Sequence, residues 1–337
     1  MPPPRAATLA DVARAAGVST ATVSRHLNAP GTVVAEATAA RIAAAVDALG
    51  YTPNYSARAM AARRSQMIGA IVPTMENAIF ARGLHAFQQE AASLGYTLLV
   101  AAHDYDLDAE AALIRTFVAR GADGLLLVGQ DRAPGVHDIL DARGVPAVAA
   151  WTHAEDAPLP TVGFDNRAAM RAMVDAVLAL GHRKVALISA PMRGNDRARH
   201  RVEGAQEALA AADLAPLAVL EAAGGLDVAG DALDALLDMS ERPTAVICGN
   251  DVLAAGVLRH ARQRGLVVPG DLSVTGFDDI EIAGVVTPPL ATVAVPHHAM
   301  GRAAARALAD RIAGEAAGPV RLATQLCLRG SLGAPGS

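Results

Sequence analysis

Two cysteines, Cys248 and Cys327, are all that the 337 residues contain, and both lie in apolar, strand-like runs. That excludes a disulfide scaffold and leaves no metal-ligand spacing, so both read as small core residues. Lysine is nearly missing as well: Lys184 stands alone, and arginine carries the positive charge. No stretch approaches the roughly 18–20 apolar residues that span a bilayer, so no membrane segment is expected. Met-Pro-Pro-Pro-Arg opens the chain with no apolar h-region after it, which predicts no export signal and a cytoplasmic protein. Enzyme signatures are wanting too. There is no GxxxxGK[ST] loop, no GxSxG elbow, no HExxH, and no GxGxxG after a strand. His297 and His298 are sequence neighbours whose side chains do not face one site. No catalytic residue, metal or cofactor is therefore predicted.

What is present is a globular composition, 52% hydrophobic and 19% charged, in a chain long enough for two or three domains. Its net charge of −5 is unevenly spread. Residues 1–66 carry seven arginines against three acids, a net +4, which leaves −9 for the remainder. A basic head on an acidic body suits phosphate attraction at one end only.

That basic end holds the most informative segment, Thr8 to Asn28, TLADVARAAGVSTATVSRHLN. Thr8 can cap a first helix, with Asp11 three residues on, and Leu9, Val12, Ala13 and Ala16 line one face. Gly17 supplies a turn, Ser19 caps a second helix from Thr20 to Leu27, and Val23 and Leu27 point inward. Thr20, Ala21, Thr22, Ser24 and Arg25 are left outward. Small side chains let such a helix approach the major groove, and an arginine reaches guanine or phosphate. The competing reading is an ordinary surface hairpin. A third helix, Glu36 to Leu49, presents Ile42, Val46 and Leu49 at helical spacing and ends at Gly50. Tyr51 to Ser65 then forms a linker, in which Asn54 can cap a short helix marginal on its own; a flexible tether is the alternative.

From Met67 onward, short apolar strands alternate with amphipathic helices in two sets, broken near Val162–Asn166. This pattern predicts βαβ units, parallel sheets covered on both faces, and two similar lobes with a cleft between them. Polar residues sit at strand carboxyl ends, where open α/β sheets bind ligands. Among them are Asp165-Asn166, Met192 to Arg201, Asn250-Asp251 and Asp278-Asp279. Asp165, Asn166 and Asp251 serve equally well as helix caps.

The helix-turn-helix, the Y-x-P-N of Tyr51 to Asn54, and the later GFDN, GND and TGFDDIE together resemble the LacI/GalR family of bacterial transcription regulators, up to about Gly330. The resemblance implies an all-α headpiece (1–50), a hinge helix (51–66), and a periplasmic-binding-protein-like α/β core. The core would divide into lobes 67–162 with 294–320 and 163–293 with 321–337, and the chain would cross between them near Leu290–Val295 and Pro319–Leu322. It implies a homodimer on double-stranded operator DNA. Base choice would rest on Thr20 and Ala21 with Arg25 nearby, and phosphates on Ser19, Thr22 and Asn28. Thr8, Ser24, Tyr51, Asn54 and Ala57 join the same surface, and Met60 stands where the family wedges a leucine into the minor groove. An effector, a sugar or related polar metabolite, would meet Phe80, Trp151, Asp165, Asn195, Arg197, Arg201, Asn250 and Asp278. Two departures are visible. Ala35 replaces the usual Ser or Thr cap of the third helix, and the loop RGNDRARHR differs from purine- and lactose-type members. A transporter's solute-binding protein shares the core but not residues 1–66. A DNA-binding protein with a degenerate pocket is the other alternative. Whether ligand releases DNA or favours its binding stays open on sequence.

Overall fold

The computed structural model describes residues 7–28, 34–52, 64–75 and 78–336. The linker helix and the expectations placed on Asn54, Ala57 and Met60 fall outside those residues, as does the side chain of Asn28. The chain divides into two compact units, residues 1–65 and 66–337.

In the first unit, α1 (Leu9–Ala16) begins with a capping box. Thr8 Oγ accepts from the Asp11 amide, and the Asp11 carboxylate accepts from the Thr8 amide at 3.0 Å. Gly17, at φ 62°, ends it in the left-handed conformation that a residue without Cβ adopts freely. The Ser19 hydroxyl accepts from the Thr22 amide at 3.1 Å and starts α2, Thr20–Asn28, one residue longer than expected. In α3 (Glu36–Leu49) the cap residue Ala35 makes no side-chain bond, as the missing Ser or Thr foretold, and Gly50 at φ 56° closes the helix. Val12, Ala13, Ala16, Val23, Ile42 and Ala45 form the core, with Leu9, Leu27, Val46 and Tyr51 packed against it.

The second unit alternates strands and helices, except where one strand runs on to the next at residues 147–163 and 320–327. In order come β1 (Met67–Val72), α4 (Ala78–Ser93), β2 (Thr97–Ala102), α5 (Leu107–Ala119), β3 (Gly124–Val128), α6 (Val136–Arg143), β4 (Ala147–Ala150) and β5 (Thr161–Gly163). Then follow α7 (Asn166–Ala179), β6 (Val185–Ser189), α8 (Asp196–Ala210), β7 (Val219–Glu221), α9 (Leu226–Leu237), β8 (Ala245–Cys248), α10 (Asp251–Gln263) and β9 (Ser273–Thr275). The chain closes with α11 (Glu281–Val285), β10 (Thr292–Ala294), α12 (His297–Ala313), β11 (Val320–Arg321) and β12 (Gln325–Cys327). Among the described residues, no helix is long and apolar enough to cross a membrane.

Two parallel sheets result, a six-stranded one ordered β11-β5-β4-β3-β1-β2 and a four-stranded one ordered β7-β6-β8-β9. Their inner strands read as uninterrupted apolar runs because both faces are covered; β3 and β6 are buried at every position. The chain passes between the sheets three times. After β5 it runs into α7. Near β10, Ala294 bridges to Asp278, and β10 pairs antiparallel with β12. After α12, Val320 and Arg321 pair with Val162 and Gly163 in the six-stranded sheet, and the chain then leaves it for β12. Sequence periodicity did not single out α12, which lies on α4 and the six-stranded sheet. Its alanine-rich run gives a weak amphipathic signal, and Pro296 offers no side-chain cap.

Gly204, three residues after Arg201 on α8, sits where only a glycine fits. A Cβ there would lie 2.2 Å from the Arg167 carbonyl oxygen, so α7 and α8 touch backbone to backbone. Gly204→Ala should destabilise the second unit by about 1–3 kcal/mol, since overpacked helices must shift apart. Chemical denaturation checks this, and a variant as stable as the parent would contradict the packing described.

Candidate functional site

Two surfaces concentrate the predicted residues. On the first unit, α2 presents Thr20, Ala21 and Arg25 as exposed side chains, with Thr22 and Ser24 half-buried. The hydroxyls of Ser19 and Thr22 lie 2.8 Å apart, so whichever donates, the other keeps its proton free for a phosphate. Thr8 is committed to its capping box, its hydroxyl 2.6 Å from Asp11. Tyr51 is half-buried against the headpiece core.

On the second unit, residues from both sheets converge at strand carboxyl ends. Phe80 from α4 meets Trp151, beyond β4, edge to face with ring centroids 5.3 Å apart. Tyr105 follows β2. From the other sheet come Asn195, Arg197 and Arg201 on the β6–α8 connection and helix, and Gly249-Asn250 after β8. Together they line a cleft of about 430 Å³ including its open mouth. Six of the eight predicted effector residues therefore meet: Phe80, Trp151, Asn195, Arg197, Arg201 and Asn250.

Asp278 lies just behind that wall. Arg201 is the hub: its Nε donates to Asn166 Oδ1 at 2.8 Å, one Nη to the Gly249 carbonyl at 2.7 Å, and the other to Asp278 Oδ1 at 3.5 Å. Its guanidinium carbon sits 3.7 Å from the Phe277 ring centroid. Burial pulls the Arg201 pKa below the usual arginine value, opposed by Asp278. The group nonetheless stays charged, since guanidinium does not lose its proton in proteins. Asp278 is wholly buried, and burial drives its carboxyl up to about 8 even though Arg201 opposes the shift. Its Oδ2 has no hydrogen-bond partner. The Trp151 indole N–H is likewise unpaired in the cleft wall. Trp151 at φ 61° and Asp278 at φ 114° hold left-handed backbone that side chains rarely adopt, and such strain gathers at ligand sites.

The remaining predicted residues divide by what their side chains already do. Asp165 caps α7 through the Ala168 amide at 2.9 Å, pairs with Arg321, and is not in the cleft wall. Asn195 spends its oxygen on the Ala198 amide and its nitrogen on the Pro191 carbonyl, although it lines the cleft. The Asn250 oxygen caps α10 at Leu253. Asp251 turns away to Thr292 and the Ile280 amide, tying the four-stranded sheet to β10.

Sequence reasoning missed Tyr105, Phe277 and His297. Tyr105 and Phe277 follow strands directly, and the carboxyl-end rule applied to every strand would have found them. His297, buried at the start of α12, holds the Asp278 carbonyl with Nε2 at 3.0 Å, while His298 is exposed. Burial pushes the His297 pKa down to about 4.

Asp278 has a pH consequence. Its folded pKa lies above the value near 4 expected of an unfolded aspartate, so the stability it contributes is full below about pH 4. That contribution is lost as pH rises through about 8. His297 acts oppositely, but only between about 4 and 6.5. Between pH 6.5 and 8 the protein should lose stability with rising pH, and Asp278→Asn should flatten that slope. Thermal melts of both proteins across this window test it, and parallel profiles would contradict it.

Residues 8–54 match the family model described as bacterial regulatory proteins, lacI family, and residues 174–332 match the periplasmic binding protein-like domain. The HTH-type transcriptional repressor CytR of Escherichia coli strain K12 is 34% identical over 331 residues, 97% of this chain and 96% of its own. Among solved structures, the Lac repressor dimer bound to operator and the anti-inducer ONPF superposes with a TM-score of 0.87 at 27% identity. That match covers 98% of this chain and 100% of the other. The transcriptional regulator CelR in complex with cellobiose gives 0.71 at 30% identity, covering 96% and 99%. These relatives are regulators, not enzymes. With its helix-turn-helix, its two parallel sheets and a relative matched from end to end, the chain belongs to the LacI family of DNA-binding transcriptional regulators.

Proposed function

We propose that the protein is an operator-binding repressor, active as a homodimer, whose DNA affinity is set by a sugar or related polar metabolite bound between two lobes, residues 67–162 with 294–320 and 163–293 with 321–337. The observation that carries this reading is the Arg201 hub, which joins Asn166, Gly249, Asp278 and Phe277 at the floor of a cleft walled by Phe80 and Trp151. Aromatic faces for an apolar ring surface, with fixed donors and acceptors around them, are the equipment for a polyol. The ligands of the two structural relatives, cellobiose and ONPF, support that class.

One headpiece reads a single half-site, so useful affinity requires two. The free edge of the six-stranded sheet supports pairing of the core. On β2, Leu99 and Val100 are exposed, with Leu94 nearby, an apolar edge that isolated proteins rarely leave bare. Thr20, Ala21 and Arg25 would read bases; Ser19, Thr22 and Asn28 would hold phosphates. Thr8, Ser24, Tyr51, Asn54, Ala57 and Met60 would complete the surface. Asp165 and Asn195 support the cleft through their caps.

Selection of the full chain against random duplexes tests this reading. It should enrich two half-sites related by two-fold symmetry, bound by two protomers in sedimentation. Enrichment of no sequence, or a monomer on each duplex, would sink it.

A further inference from the structure

Charged side chains from both sheets close one edge of the cleft. The turn after β3 brings Gly129, Gln130 and Asp131; α8 brings Asp196, Arg197 and Arg199. Arg199 makes a two-pronged bond to Asp131, with Nη1 2.5 Å from Oδ2 and Nη2 2.8 Å from Oδ1. The same Nη1 donates to the Met192 carbonyl at 3.1 Å, which fixes the guanidinium's direction. One turn earlier, Asp196 Oδ2 accepts from the Gln130 amide at 3.0 Å, and Oδ1 accepts from Arg197 at 2.9 Å.

This approach is written into the backbone. Gly129 has φ 69°, and a Cβ there would fall 1.8 Å from the Arg197 guanidinium and 2.1 Å from the Asp196 carboxylate. Only glycine lets the β3 turn come so near. On another path between the same lobes, Arg82 reaches the Asp279 carbonyl and the Glu281 carboxylate, but Glu281 is almost fully exposed, so water screens that pair. Asp131 is far better sheltered than Glu281 and takes both prongs of Arg199, the arrangement in which an arginine–carboxylate pair counts most. Accordingly, the Arg199 bonds hold the Asp131 carboxyl below the usual carboxylate range.

We propose that Asp131 and Arg199 are positioning residues of the cleft: their pair latches the lobes together and holds Arg197 in the cleft wall. The role in effector response rests on the proposed reading of the cleft; the latch itself does not. Opening the lobes for a ligand to enter or leave must break both prongs and the Asp196–Gln130 bond, so the latch governs how readily the cleft opens. Nothing in the spacing of Asp131 and Arg199 advertises the pair.

The test measures lobe separation in the full chain, without effector or operator. Spin labels go on two exposed helix positions, Arg143→Cys on α6 and Gln263→Cys on α10, in a Cys327→Ala background. Labelled chain is mixed with excess unlabelled chain so that distances report within one protomer. The parent should show one dominant short distance. Asp131→Asn and Arg199→Gln should each raise the open-to-closed ratio about tenfold, a typical coupling for a well-formed pair, while melting temperatures stay close to the parent's. The reversed pair, Asp131→Arg with Arg199→Asp, should return the distribution towards the short distance. Unchanged distances in both single variants, or a reversed pair no better than either single, would overturn the latch. Because neither ligand nor DNA enters this measurement, its failure is separate from failure of the regulator reading, which selection against random duplexes decides.

Discussion

Asp278→Asn should abolish the effector response while leaving effector-free operator binding as it was. Asparagine keeps the shape and tolerates the left-handed φ of 114° that alanine would strain. It replaces one carboxylate oxygen with an amide N–H, in a fully buried position facing Arg201. Oδ2 has no partner within the protein, and an effector donor that pairs with it would lose its acceptor in the variant. Losing such a bond costs about 1.5–3 kcal/mol, about 10- to 100-fold in effector affinity. The effector concentration for a half-maximal change in operator binding, read by fluorescence anisotropy of labelled operator, should rise by that factor or pass out of range. A variant responding at the parent's concentration would remove Asp278 from the site. A variant that no longer binds operator at all would show that the mutation acts through folding; melting curves would then register the same loss.

Exchanging Thr20 and Ala21 for other residues should move the preferred operator, whereas Thr22→Ala should weaken every operator alike. The structure gives a reason for the difference. Thr20 and Ala21 are exposed on the first turn of α2 with no bond of their own to satisfy, so their side chains are free to choose a base edge. Thr22 shares a hydrogen bond with Ser19, and the pair has one hydroxyl proton left to direct outward, which suits a phosphate. Each altered base preference is worth about 1–3 kcal/mol, so the exchange should reorder a selected pool about 5- to 150-fold. Phosphate contacts carry no sequence, so Thr22→Ala should leave the order of operators unchanged. Binding to a panel of single-base operator variants separates the two outcomes. An exchange that leaves the ranking untouched would refute the assignment of α2 as reader.

How much of this was legible before the structure depended on how local the cause was. Helices α1 to α3 could be placed to within a residue because Thr8, Asp11, Ser19, Gly17 and Gly50 terminate them by bonds to their own neighbours. The strands were legible because burial on both faces leaves unbroken apolar runs. The site was legible in part. Strand carboxyl ends pointed to the correct loops, but helices also begin there, and the same Asn and Asp types serve as caps and as ligands. Only the fold separates Asp165, which caps α7 and pairs with Arg321, from Asp278, which meets Arg201 across 77 positions of sequence. The crossing segments and the Asp131–Arg199 pair are likewise long-range, and no local pattern encodes them.

The central claim is that a ligand between the lobes and an operator under the headpieces are thermodynamically linked. The most direct measurement is operator affinity of the full chain with and without saturating ligand, using a sugar or polar metabolite shown by calorimetry to bind the core. The account predicts a shift of about 5- to 150-fold, matching a coupling of about 1–3 kcal/mol, and an equal shift in ligand affinity when operator is present. Operator affinity that does not change at saturating ligand would contradict it.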